Sequence, residues 1–340
     1  MHKGGRMERY FLASNSGRGF WSEYDSQLKD ADRVALIKGG SGTGKSTLLK
    51  KIAVSAKNKG YDVEIWHCSG DPKSVDGVYI KELKRAAVDA TSPHAIGADE
   101  PGVKDVIFDV ANNIENGKLT GKREEIENLI KCKKAHFTRA YQHLKCALCH
   151  YTNLLEIEKQ DVDERKIRRI ASEYCQKMLL ENDDETKDRV LFSRAISPSG
   201  ENEFFDHLKD KCVYKVKGGA FATRVFFDEI RNMARGTFFR HPLDPLAFEG
   251  VVQGDVAIVD IERANKQEGE VIDLERCEHF NAQDALDEKN NELVQTALAV
   301  ERLNRARQAH GLLEKIYIGA MNFDGNDKIL QDMSEFLFCD

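Results

Sequence analysis

A chain of 340 residues, 41% apolar and 32% charged, has a length prior of about two domains and enough apolar material for packed cores. Its net charge of -6 weighs against a nucleic-acid partner, and no apolar run reaches the length of a bilayer-spanning helix. The opening Met1–Met7 is basic and polar, without the apolar core of a signal peptide, and the eight cysteines are scattered, so a cytoplasmic protein with reduced thiols is expected.

In chain order, Arg9–Leu12 reads as a short strand, Ser16–Gly19 as a turn and Phe20–Leu28 as an amphipathic helix. Val34–Ile37 is a buried-type strand, and Leu48–Ala53 opens a helix that Gly60 ends. Between them lies GGSGTGKST: Gly39, Gly40, Ser41, Gly42, Thr43, Gly44, Lys45, Ser46 and Thr47. This is the pattern G-x-x-x-x-G-K-[ST] in strand-then-helix context, the sequence of a phosphate-binding loop. Its glycines let the backbone turn its N–H groups toward phosphate oxygens, and the helix adds the positive end of its dipole. Lys45 is expected to meet the β- and γ-phosphates of a nucleotide, and the Ser46 hydroxyl to ligate Mg²⁺.

Tyr61–Cys68 alternates as a second strand, broken by Ser69-Gly70-Asp71-Pro72. Val75–Ile80 is a loop or short strand, and Leu83–Ala90 a weak strand closing on Asp89, the expected carboxylate partner of Ser46 at the metal. Lys122 to about Glu158 is helical, with Ile126, Leu129, Ile130, Phe137, Tyr141, Leu144 and Leu148 at helical spacing. After a break at Gln160–Asp163 a second helix, Glu164–Leu180, completes an expected helical hairpin, and Glu181–Glu185 reads as an acidic linker. Cys146-Ala147-Leu148-Cys149-His150 matches the c-type haem attachment pattern, but inside a helix of a cytoplasmic chain these cysteines read as packing residues.

The remainder repeats what precedes it. Arg189–Gly219 shadows Arg9–Gly40, Asp244-Pro245 echoes Asp71-Pro72, Glu249-Gly250-Val251 echoes Asp76-Gly77-Val78, and the strand Val256–Asp260 aligns Asp260 with Asp89. Late in the chain, His310 and the Leu-Leu-Glu after it match His150 and Leu154-Leu155-Glu156, and Asp324 matches Asp163. In the second copy GGAFATRV (Gly218–Val225) stands against GGSGTGKS, which sets Phe221 against Gly42, Thr223 against Gly44, Arg224 against Lys45 and Val225 against Ser46. A β-carbon opposes the positive φ such a loop needs, and valine has no oxygen for Mg²⁺, so the second copy reads as non-binding. Arg224 and Arg240 are candidates for an arginine finger against the first site, with a structural role as the plainer reading.

On FWSEYDSQL, KGGSGTGKSTLLKKI, YDVEIWHCSGDPKSVDGV, AAVDATSPH and their echoes, nearly the whole chain resembles a group of bacterial tandem P-loop ATPase-like proteins. The resemblance implies an ATP-binding P-loop fold without a known substrate; other members often keep a second intact loop, which Gly218–Val225 does not. The fold expected is α/β: two repeated P-loop NTPase-like modules with mostly parallel sheets. Residues 8–186 would form one, with a helical hairpin over about 122–181, and residues 187–340 the other, with a hairpin over about 283–338.

The leading functional expectation is a Mg²⁺-dependent ATPase with one working site. Asp89 is followed by Ala90 rather than by the water-activating Glu of many ATPases, which leaves His67, Asp71, Glu82, Thr91 and His94 unranked for that role. The alternatives are a small-metabolite kinase, with Arg165, Arg168 and Arg169 as lid cations, and a nucleotide-gated module that docks a protein partner on its helical hairpins. Asn265-Lys266-Gln267-Glu268 and Asp99-Glu100-Pro101-Gly102 only superficially match guanine-nucleotide motifs.

Overall fold

The computed structural model describes residues 5–93, 96–160, 162–178, 188–262, 268–278 and 282–339. His94, the expected acidic linker at 181–185, and Asn265 to Gln267 lie outside them. The protein is α/β, built on two six-stranded mixed sheets.

The front sheet contains β1 (Met7–Phe11), β4 (Arg33–Lys38), β5 (Val63–His67), β6 (Val75–Ile80), β7 (Arg85–Asp89) and β8 (Asp105–Asp109), after a small hairpin of β2 (Ala13–Ser16) and β3 (Gly19–Ser22). Its order is β1-β5-β6-β7-β4-β8. The pairs β1–β5, β4–β7 and β4–β8 are parallel, whereas β6 runs antiparallel to both β5 and β7. Only Lys81–Lys84 separates β6 from β7, too short for the crossover of a dozen or more residues that a parallel pair requires. The expected helix at Phe20–Leu28 is instead β3 followed by the five-residue α1 (Tyr24–Leu28).

The rear sheet repeats this plan strand for strand. β9 (Arg189–Leu191), β12 (Cys212–Lys217), β13 (Thr237–Arg240), β14 (Phe248–Gln253), β15 (Val256–Asp260) and β16 (Glu270–Asp273) stand in the order β16-β12-β15-β14-β13-β9, with the hairpin β10 (Arg194–Ser197) and β11 (Gly200–Glu203) beside them. Ile37 pairs with Asp89 in one sheet and Val216 with Asp260 in the other, so the two aspartates hold equivalent places. The sheets meet where Phe11 and Phe192 exchange backbone hydrogen bonds of 2.9 and 3.0 Å, next to the pair of half-buried Arg189 and buried Glu64 at 2.8 Å.

Helices α2 (Lys45–Asn58) and α5 (Ala220–Met233) cover the outer faces, but the long helices do not form the expected hairpins. α3 (Arg123–Lys159) lies along α6 (Ala282–Ala320), antiparallel, with His143 bonded to Gln295 at 2.9 Å and His150 to Glu288 at 2.7 Å. α3 buries Ala140, Leu144, Ala147, Tyr151 and Leu154, an alternation of four- and three-residue steps that keeps one stripe on its partner. With 37 residues it spans roughly 55 Å and carries the chain across to the other half. There α4 (Glu164–Met178) buries Ile167, Ile170, Ala171 and Cys175 against α5 and the rear sheet. Reciprocally, α7 (Asp324–Phe338) buries Met333 and Leu337 among Ile37, Leu49, Ile52 and Ala87 of the front core. The bridges Ile114–Met321 and Val162–Glu278 mark the two crossing points of this exchange. Cys146 and Cys149 are exposed on α3 rather than packed.

Because the last helix completes the first core, Leu337→Ala is expected to cost about 2–5 kcal/mol in denaturant unfolding. Hydrogen exchange should then rise in β4 and α2 more than in β12 and α5.

Candidate functional site

Six residues, Gly39–Gly44, join β4 to α2. Gly42 and Gly44 adopt φ of +72° and +90°, and both are also pressed from behind. A β-carbon on Gly42 would sit 2.6 Å from the Glu314 carbonyl oxygen of α6, and one on Gly44 2.9 Å from Asn326 Nδ2 of α7. Asn326 Nδ2 donates to the Thr43 carbonyl at 3.0 Å and its Oδ1 accepts from Asn113 Nδ2 at 2.8 Å. Thr43 Oγ1 donates to the Gly40 carbonyl at 2.9 Å, and Ser41 Oγ lies 3.4 Å from His310 Nδ1. The exchanged helices therefore hold the loop in shape. Meanwhile the amide N–H groups of Ser41 through Ser46 donate to no acceptor among the described residues.

Lys45 Nζ donates to the carbonyls of Gly39 and Gly40 at 3.0 and 2.7 Å and stands 3.6 Å from Asp89 Oδ2. Asp89 Oδ1 accepts from the Thr91 amide at 3.0 Å and its hydroxyl at 2.6 Å. Burial pushes the Asp89 carboxyl above its ordinary range, Lys45 pulls it back, and the nearby Asp76 carboxylate of β6 adds to the rise. Ser46 Oγ accepts from the Val75 amide at 2.9 Å. A cavity of about 1010 Å³ opens over the loop, at the upper end of the roughly 300–1,000 Å³ usual for small-ligand sites. Its walls bring Lys133, Phe137 and Tyr141 from α3 and Arg307, His310 and Glu314 from α6 against Gly39–Thr47, Asp76 and Asp89.

Of the residues weighed beforehand, Asp71 and Thr91 line this cavity, Asp71 held by Arg307 at 2.7 Å. His67 and Glu82 do not: His67 Nδ1 is bonded to the Pro72 carbonyl at 2.8 Å and packs on Phe204, while the Glu82 carboxylate accepts from the Asp62 amide at 3.0 Å. Neither expected arginine finger reaches it. Arg224 is paired with Asp244 at 3.0 Å and Arg240 with Glu23 at 2.5 Å. The would-be lid cations stand on α4: Arg168 binds Glu229 of the rear helix α5 at 3.0 Å, and Arg169 is exposed, 3.6 Å from Glu173 of its own helix. The sequence reading missed Asp76, Lys133, Arg307 and His310. Asp76 had a signal, an acidic residue inside a buried strand; the other three come from helix faces that only tertiary packing brings to the loop.

The rear junction differs from the residue-by-residue alignment. Only Gly218 and Gly219 separate β12 from α5, so four loop residues are deleted and Arg224 falls in the second turn of the helix. Here the free amides are capped by the chain's own carboxylates. Glu158, at the end of α3, accepts from the Phe221 amide at 2.7 Å and also from that of Ala220, and Glu278 accepts from the Gly219 amide at 2.8 Å. Gly219 permits the approach, since a β-carbon there would lie 2.8 Å from Glu158 Oε2. A second substitution accompanies the first. Arg194, fully buried where the front half has Ala13, binds Glu249 and Glu201, and its charge also acts on Asp260; Glu249 and Asp260 are the counterparts of Asp76 and Asp89.

Burial, reinforced by Glu278, raises the Glu158 carboxyl to about 7 despite the amides. A carboxyl protonated more readily in the folded chain stabilises it most at low pH and loses that contribution as pH climbs from the unfolded value through about 7. Melting curves of Glu158→Gln and the native chain should therefore nearly coincide at about pH 5 and separate by a few degrees, the variant higher, at about pH 8.

No family model matches the chain, and no curated protein or solved structure is significantly similar to it.

Proposed function

We propose that the front loop binds the phosphates of ATP and that the protein is a slow ATPase with a single site, its rear half serving as a non-binding twin. One observation carries this reading: among the described residues the amides of Ser41–Ser46 meet no acceptor, whereas the matching rear amides are closed by Glu158 and Glu278. A carboxylate that caps a helix start in one copy indicates an anion at the same place in the other. Lys45, within reach of the same space, would turn from the Gly39 and Gly40 carbonyls to the β- and γ-phosphates. The phenyl ring of Phe137, stacked on Tyr141, offers an apolar wall for the base.

Magnesium fits the same residues. Among the described residues no group of three or more His, Cys, Asp or Glu side chains is placed to hold a metal alone. Mg²⁺ bound with a nucleotide needs less, since phosphate oxygens and water complete its octahedron. Ser46 and Asp89 would hold it, with Asp76 behind, and a positive charge suits the place because the rear twin puts the Arg194 guanidinium beside the equivalent carboxylates. When bound, the ion would neutralise charge developing on the transferred phosphoryl group. The chain's own part is to fix the phosphates by backbone amides and Lys45 and to shield them beneath α3 and α6.

The carboxylates lining the cavity already have partners: Asp71 is held by Arg307, Glu314 lies 3.5 Å from His310, Asp89 accepts from Thr91 and Asp76 is hydrogen-bonded to Cys68. None of them is poised as a base for water, which supports slow turnover. The same geometry favours a second reading, a nucleotide-gated module, because ligand over the loop would touch both α3 and α6.

Titration calorimetry with Mg·ATP should give one nucleotide per chain, and phosphate release should be constitutive and slow. Lys45→Ala is expected to weaken binding at least about 50-fold, the loss of a charge-assisted contact, while Arg224→Ala leaves it unchanged. Two equal sites, or none, would overturn the proposal.

A further inference from the structure

The helix pair above the loop carries a cation that makes no direct ion pair among the described residues. Lys133 projects from α3 into the cavity that Lys45 lines, is half-buried, and makes no hydrogen bond or ion pair among the described residues. Its two charged neighbours are Glu314, which attracts it, and Lys45, which repels it; burial is the larger influence and holds its ammonium below the ordinary lysine range. The other cations of this wall are differently placed. Arg307 is already paired with Asp71, and Lys134 is exposed.

Two ammonium groups brought toward one another in a partly desolvated space, one of them unpaired, repel unless an anion lies between them. The position of Lys133 is fixed by the scaffold rather than by chance side-chain reach. Two turns further along α3, Tyr141 Oη donates to Asn15 Oδ1 at 2.9 Å, and Ala140 and Leu144 are buried. Asn15 Nδ2 in turn donates to the Ile196 carbonyl at 2.7 Å, so this part of the helix is tied to both hairpins.

We infer that Lys133 is a second phosphate-contact residue, directed at the terminal phosphate of the bound nucleotide, and that it makes the site prefer a triphosphate to a diphosphate. This rests on the proposed nucleotide site and adds a residue from outside the loop. A loop that begins a helix grips the inner phosphates in either ligand; a cation reaching down from an opposing helix is useful only when the chain of phosphates extends far enough to meet it. The added charge on the terminal group is also what two facing ammonium ions are arranged to neutralise.

The test is a set of calorimetric titrations of the intact protein, Lys133→Ala and Lys133→Arg with Mg·ATP and with Mg·ADP, with circular dichroism to compare folding. Lys133→Ala should weaken ATP about tenfold and ADP less than about twofold, and Lys133→Arg should restore ATP to within about threefold. Equal losses for the two nucleotides, or no loss for ATP, would overturn the inference while leaving the loop assignment intact. An intact protein that binds neither nucleotide would overturn both.

Discussion

A helix that starts abruptly at the end of a buried strand leaves N–H groups with no partner in the helix itself; they need an acceptor, and the helix dipole favours a negative one. The chain faces this demand twice. At α5 it is met internally, by Glu158 arriving from α3 and by Glu278 from the segment after β16, and the cost is visible in the Glu158 carboxyl, which burial and its like-charged neighbour push up to about 7. At α2 six glycine-rich residues join the strand to the helix, and the amides that result meet no side-chain acceptor among the described residues. The cavity over the loop is open enough for water to reach them.

That difference would count for little if the two halves were independent, and they are not. The loop belongs to the front sheet, but its shape is set by Glu314 and Asn326, which lie on helices that follow the rear sheet. The rear cap is likewise delivered by a helix that follows the front sheet. Each core is closed by the last helix of the other half, Met333 and Leu337 on one side and Ile167 and Ile170 on the other. The two helix starts are thus joined by the packed side chains of α3 and α6 rather than by a linker. The residues of α3 that line the cavity and the Glu158 that closes the rear junction belong to one continuous helix.

Local order in the sequence foretold local structure well. The glycine loop, the strand before it and the helix behind it follow from residue type and spacing, and the repeat located Asp89 through its counterpart Asp260, as the strand registers show. What the sequence could not disclose was partner choice. The apolar stripe of α3 fits a hairpin with α4 as well as it fits α6, because periodicity specifies a face and not what covers it. The antiparallel β6 was legible only from the brevity of Lys81–Lys84. Aligning Arg224 with Lys45 looked natural because a deletion of four residues leaves both helices starting soon after a Gly-Gly pair. Lys133 sits among charged residues on a helix, where sequence alone reads a solvated face.

The two halves can be understood as one design with its charges supplied differently. In the rear half a carboxylate stands at the start of the helix, Glu158, and a guanidinium, Arg194, is bonded to the strand carboxylate of Glu249 and feels the charge of Asp260. In the front half both substituents are gone. Ala13 replaces the arginine, and Asp76, Asp89 and the amides remain, with the Lys45 ammonium 3.6 Å from Asp89 as the cation of this half. An anion together with a cation, arriving as one ligand, would restore the same balance of charge that the rear half carries in its own side chains. Such a frame needs little rearrangement to accept it, since the twin shows the same strands and helix start packed stably around fixed charges of both signs. The rear half is then not a vestige but the rigid template against which α3 and α6 hold the open site in register.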